Sequence, residues 1–176
     1  MLGELFEVEN VMRALPRLLL VGFAGAALAS PVIGQRADDQ IQPKSVELQR
    51  QAKALMTAGK LEEAEDVLET ALAVDPRNRG AFVDMARVAE KQHLYGKAIR
   101  MTNKALLLEP NDPDAIAVQG EAMVEMGATA RAQANLQKLQ TLCGGKACPQ
   151  AVQLSQAISR GPTVASAKAP DVPKKN

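Results

Sequence analysis

The 176-residue sequence has no tryptophan, one tyrosine (Tyr95) and three phenylalanines (Phe6, Phe23, Phe82), so aromatics make up only 2%. Single-stranded nucleic acid is held on aromatic stacking platforms, which are missing here. There is one histidine, His93, and there are two cysteines, Cys143 and Cys148. That count nearly excludes Ser–His or Cys–His catalytic machinery and zinc sites built from several His or Cys. No charge of one sign dominates: Lys+Arg is 21 and Asp+Glu is 20, a net charge of +1. A nucleic-acid partner is therefore not implied. The phosphate-loop pattern GxxxxGK[ST] is also absent, and neither a cofactor nor a metal is expected. What remains is ordinary globular chemistry, with 47% hydrophobic and 23% charged residues.

The longest apolar run is short. Leu18 to Ala29 follows Arg13 and Arg17 and precedes Pro31. A positive start, a run near 12 residues and small residues after it form the layout of a secretory signal peptide. A bilayer span needs about 20 residues. Cleavage is expected after Ala29 or after Gly34, giving a leader over 1–34. Residues 1–11 carry Glu4, Glu7 and Glu9 and no positive charge. Met12 therefore reads as the true start, against a genuine acidic extension. The leader implies export, and no membrane insertion once it is removed. An uncleaved leader tethering the chain to a membrane is the alternative.

A 34-residue offset organises the rest. Gly59-Lys60-Leu61-Glu62-Glu63-Ala64 with Leu68, Ala71 and Asp75-Pro76 recurs as His93-Leu94-Tyr95-Gly96-Lys97-Ala98 with Thr102, Ala105 and Glu109-Pro110. A third copy has Gly127, Thr129, Ala132, Leu136 and Leu139, with Gly144 where the closing Pro would stand. Small alanines allow close helix crossing, and larger apolar residues three or four apart form one buried stripe per helix. Pro76 and Pro110 stop helices, and Gly59 and Gly127 suit C-terminal caps. The spacing predicts helices over 46–58, 61–74, 79–92, 95–108, 113–126 and 129–142. A seventh is expected over 149–159, covering the open end of the array. Residues 35–44 read as a polar linker and 161–176 as a flexible tail.

This pattern resembles the tetratricopeptide repeat. The large first-helix position holds Leu48, Phe82 and Ile116, and the small one Ala52, Ala86 and Gly120. The tyrosine position holds Leu55, Ala89 and Met123. The resemblance covers residues 45 to about 144. It implies an all-α, right-handed helical-repeat solenoid of three helix pairs, closed by the capping helix to give a domain over 45–160. It also implies a small exported protein of the Gram-negative periplasm. In this family the first helices line a concave groove. By repeat position the groove residues are Gln49, Lys53 and Met56, then Val83, Arg87, Glu90 and Lys91, then Ala117, Glu121, Val124 and Glu125. Basic Lys53 and Arg87 grade into acidic Glu121 and Glu125, a polarity that would orient a peptide. Some members clamp a C-terminal carboxylate. The matching positions here are Gln49, Lys53, Asp84, Asp114 and Val118, which do not support such a clamp.

Cys143 and Cys148 are spaced C-x4-C around two glycines. In an exported chain a paired count reads as a structural disulfide. A redox-active pair lacks C-x-x-C spacing and remains an alternative, as do free thiols. His93 is expected to cap a helix, and Glu62, Glu63, Glu65, Asp66 and Glu69 to be a solvated face near a helix start. No catalytic constellation is found. The expected role is a non-catalytic adaptor of the cell envelope that binds a protein or peptide segment. A structural spacer or oligomerisation module, and a thiol accessory protein, are the alternatives; the oligomeric state is left open.

Overall fold

In the computed structural model, residues 40–146 and 148–163 are described. The expected leader, the first part of the expected linker and most of the expected tail lie outside them. Seven helices run through the described residues: α1 (Pro43–Thr57), α2 (Leu61–Val74), α3 (Arg79–Lys91), α4 (Tyr95–Leu108), α5 (Pro113–Glu125), α6 (Thr129–Leu142) and α7 (Pro149–Arg160). Five of the expected ends are displaced by a residue or more, and the largest displacement is at the start of α1. Pro43, preset for the first helical turn, begins that helix inside the expected linker. Gln42 anchors it there, its amide N donating to Asp75 Oδ2 and its Nε2 to the Val74 carbonyl, both at 2.9 Å.

Each helix packs on its chain neighbours, and α1 on α3, α3 on α5 and α5 on α7. This is a helical-repeat solenoid. The small-residue positions explain its closeness: Ala52, Ala64, Ala86, Ala98 and Ala132 are all fully buried. Between them sit Leu68, Ile116, Leu139 and Leu154, each at most 1% exposed. Burying such a side chain contributes about 1.5–3 kcal/mol. Three successive apolar clusters result, the last closed by Ala151 and Leu154 of α7.

The turns repeat as the sequence does. Asp75 and Glu109 are extended residues before Pro76 and Pro110, and they end α2 and α4. Asn78 and Asp112 then cap the next helix, accepting from the Ala81 and Ala115 amides at 3.1 and 2.9 Å. Asn78 also donates to Ser45 Oγ (2.9 Å), which donates to the Ala71 carbonyl (2.7 Å), so the buried turn is satisfied. The first helix of each pair ends in a left-handed residue. Gly59 (φ 75°), His93 (φ 59°) and Gly127 (φ 76°) occupy equivalent places. His93 is thus the expected cap, in a backbone state that favours glycine.

Cys143 and Cys148 are bonded (Sγ–Sγ 2.01 Å) across the turn between α6 and α7. Among the described residues no helix is long and apolar enough to cross a membrane.

Candidate functional site

The inner face is built by α1, α3 and α5, with α7 standing in the place of a fourth first helix. Its centre is a chain of polar side chains that crosses all four. Asp84 on α3 is only 2% exposed. It accepts from Gln49 Nε2 of α1 at 2.6 Å and from Arg87 Nη1 at 3.1 Å, with Lys53 Nζ at 3.5 Å. Arg87 Nη2 reaches across to Asp114 Oδ1 of α5 at 3.2 Å. Gln150 Nε2 of α7 donates to the same oxygen at 3.2 Å. A buried carboxylate is tolerable only when its lone pairs are met, and here they are met by donors from two helices.

Around Asp84 the surface opens into a hollow of about 400 Å³ lined by Lys53, Met56, Thr57, Asp84, Arg87 and Lys91. Met56 is half-buried and packs on the first apolar cluster, whereas Lys91 is exposed. This end of the face is basic at its rim and apolar at its floor.

The other end is acidic. Glu90 of α3 faces Glu121 and Glu125 of α5, close enough that their charges act on it. Burial, then the Glu121 and Glu125 charges, push the Glu90 carboxyl up to about 8, against the pull of Arg87. Burial also raises Glu121, while a hydrogen bond with Gln153 and the charges of Arg87 and Arg160 oppose the rise. Glu121 Oε1 is buried with no hydrogen-bond partner among the described residues. Beside Glu125 lie the hydroxyls of Tyr95 and Thr163. Thr163 N and Oγ1 both donate to Glu125 Oε2, at 2.8 and 2.9 Å. The start of the expected flexible tail is therefore held against the face.

Most of the expected groove residues are brought together: Gln49, Lys53, Met56, Arg87 and Lys91 at the basic hollow, Glu90, Glu121 and Glu125 at the acidic end. Val83 is not on this face. It is 2% exposed, packed with Ala86, Ala89, Val118 and Ala122 of the second cluster. It stands one position round from Asp84, and that rotation turns it onto α5. Ala117 and Val124 are likewise buried, under α7. Of the positions compared with a carboxylate clamp, Asp84 and Asp114 hold the cations of the face, and Val118 is 2% exposed.

Sequence reasoning did not find Gln150, Gln153, Arg160, Tyr95 or Thr163 as part of this face. One signal was present: Pro113-Asp114 is echoed 36 residues on by Pro149-Gln150, which sets α7 out as a further first helix. Among the described residues no group of three or more His, Cys, Asp or Glu is placed to hold a metal ion.

Comparison with known proteins places this geometry. The sequence model of the tetratricopeptide repeat family matches residues 55–122. No curated protein matches the chain by sequence. Among solved structures, the Sgt2 tetratricopeptide domain of Aspergillus fumigatus is similar at 20% identity and a TM-score of 0.62, over 68% of this chain and 79% of that one. The first tetratricopeptide domain of Spaghetti (RPAP3), bound to an HSP90 peptide, is similar at 20% identity and 0.61, over 72% and 97%. The type III secretion translocator chaperone SycD of Yersinia enterocolitica is similar at 21% and 0.59, over 68% and 89%. At such identities the likeness is one of fold.

Proposed function

We propose, on the premise that this chain is a tetratricopeptide-repeat protein, that it is a non-catalytic adaptor. It takes a protein or peptide segment along its concave face. The observation that carries this reading is the polarity of that face. A basic-rimmed hollow with an apolar floor at Met56 lies at one end, and a cluster of partly buried carboxylates at the other. A segment with an acidic residue near one end and a basic residue near the other fits in one direction only. Similar folds hold peptides, as the Spaghetti (RPAP3) domain with its HSP90 peptide does. A purely acidic chaperone-type tail is not the ligand in this reading. Asp84 and Asp114 already engage Arg87, and Asp84 engages Lys53.

The reading extends to the cell envelope. It is supported by the leader pattern of residues 12–34 and by a cysteine pair suited to an oxidising compartment. There the protein works after leader removal, without inserting in the membrane.

The test is a photo-crosslinking residue placed at Lys91, exposed beside the hollow, in the native host, with adducts identified by mass spectrometry. One dominant envelope protein is expected, and it is lost on Lys53→Glu. Adducts only between copies of this chain would move the assignment to an oligomerisation module, and no adduct above background to a structural spacer.

A further inference from the structure

The turns that join the helices of each pair carry two hollows that the repeat makes equivalent. The first, of about 350 Å³, is lined by Gly59, Lys60, Leu61, Glu62, Glu63 and Gln92. The second, of about 420 Å³, is lined by the residues 34 positions on, His93 to Lys97 and Met126, with Arg100 added. The turn between α3 and α4 separates them, with Gln92 on one and His93 on the other. The repeat gives both hollows the same backbone plan, so they differ in their side chains.

Those side chains are opposite in kind. In the first hollow Glu62 is exposed, and exposed Asp66 follows one turn on along α2. The same two places in the second hold Gly96 and exposed Arg100, whose Nη1 lies 3.8 Å from where a Cβ on Gly96 would stand. Lys60 and Gln92 of the first hollow give way to Leu94 and Met126, which are 48% and 58% exposed. The fold requires neither, since polar residues fill those places one repeat earlier. His93, held at φ 59° where Gly59 stands in the first hollow, raises one wall of the second. Two other cations of the two hollows are already paired, Lys60 with Glu63 and Lys97 with Glu65. Glu62, Asp66 and Arg100 take part in no ion pair among the described residues.

We infer that this edge is an interface between two copies of the chain, related by a two-fold axis at the α3–α4 turn. Such an axis sets the second hollow of each copy on the first hollow of the other, and the contact closes on itself. Arg100 then meets Glu62 of the partner subunit and Asp66 of the partner subunit, and the same contact recurs across the axis. The two Leu94 side chains, on the turn at the axis, come together. An axis through either hollow would instead set like charges on each other, so the charges fix the register. The inference goes beyond the groove reading. Neither hollow shares a residue with the one around Asp84, so either reading can fail without the other.

The test is the mass of the purified full chain by sedimentation velocity. Small, largely polar interfaces are weak, so the range is from about 1 to about 200 µM at low salt. Monomer passing to dimer is expected over that range, with less dimer at about 0.5 M salt. Arg100→Asp should weaken the dimer about tenfold or more, because it opposes acid to acid. Adding Glu62→Arg and Asp66→Arg to it exchanges the charges of the two hollows and should restore most of the loss. Leu94→Arg brings two cations together at the axis and should leave a monomer. All four positions are exposed, so helical circular dichroism should be unchanged in each variant. Every form keeps the same residues 1–40, so differences between them report on this edge. A chain that stays monomeric throughout, a mass that grows past the dimer, a dimer indifferent to Arg100→Asp, or a charge exchange as weak as Arg100→Asp alone would each overturn the inference.

Discussion

Leu154 of the last helix occupies the space that a side chain on Gly120 would need. A Cβ built at Gly120 lies 2.6 Å from Leu154 Cδ2 and 2.7 Å from Cδ1. Leu154 is fully buried, so it has nowhere to turn. The closing helix is thus seated by a missing side chain on α5. Gly120→Ala gains helix propensity of about 1 kcal/mol but forces an overpacked contact of about 1–3 kcal/mol. A net loss of about 1 kcal/mol is expected in chemical denaturation. Leu154→Ala is expected to cost about 2–5 kcal/mol, and the pair together should cost less than the sum of the two.

His93 stands where the other two repeats have Gly59 and Gly127, with φ 59°. Left-handed backbone costs a non-glycine residue about 1–2 kcal/mol. Against this stands one exposed contact, His93 Nδ1 to the Tyr95 hydroxyl at 2.9 Å. His93→Gly is expected to stabilise the domain by about 1 kcal/mol, read as a higher midpoint of thermal unfolding.

The polar chain across the groove should respond unequally along its length. Lys53 is more than half exposed, and its loss through Lys53→Ala should cost under about 1 kcal/mol. Arg87→Ala removes a donor from buried Asp84 and the bridge to Asp114. That change should cost about 1–3 kcal/mol. Equal effects in urea titration would show that the chain is not a connected unit.

Two acids should give opposite pH signatures. Glu90 is raised from 4.5 to about 8 in the folded chain, chiefly by burial. The folded state then binds more protons than the unfolded one, so its contribution to stability falls as pH rises from about 4.5 to about 8. Glu90→Gln should flatten that fall and leave the variant the more stable form at pH 8. Asp75 is lowered from 3.8 to about 2 by its hydrogen bonds with the Arg77 side chain and the Gln42 and Arg77 amides. Its contribution is present above about 3.8 and lost as pH falls towards 2. Stability measured by denaturant from pH 3 to pH 9, with Glu90→Gln and Asp75→Asn, separates the two slopes.

Reduction of the Cys143–Cys148 bond opens a short loop, with an expected loss of about 2 kcal/mol. The loss should be local. Hydrogen exchange is expected to speed up at the α6–α7 turn and in α7 while α1 to α4 keep their protection.

The helices were legible because what specifies them is local and repeated. Alanines at 64, 98 and 132, proline at 76 and 110, and left-handed caps at 59 and 127 recur at one offset. Each acts within a turn or two of its own position. The start of α1 was not read because Gln42 is held by Val74 and Asp75, more than thirty residues away. Eight of the expected groove residues stand together on the inner face, but Val83, Ala117 and Val124 are buried, since one step of helix rotation decides between that face and the core.

The sequence by itself determined that this chain is a stack of helix pairs with small residues at the crossings, because steric fit and helix termination are short-range. Tertiary structure alone decided that Asp84, Arg87, Asp114 and Gln150 form one connected line, that Glu90, Glu121 and Glu125 crowd at one end, and that Thr163 turns back onto Glu125. Most of these contacts join residues on different helices. Their electrostatics depend on which groups the fold brings together away from water, and no local pattern records that.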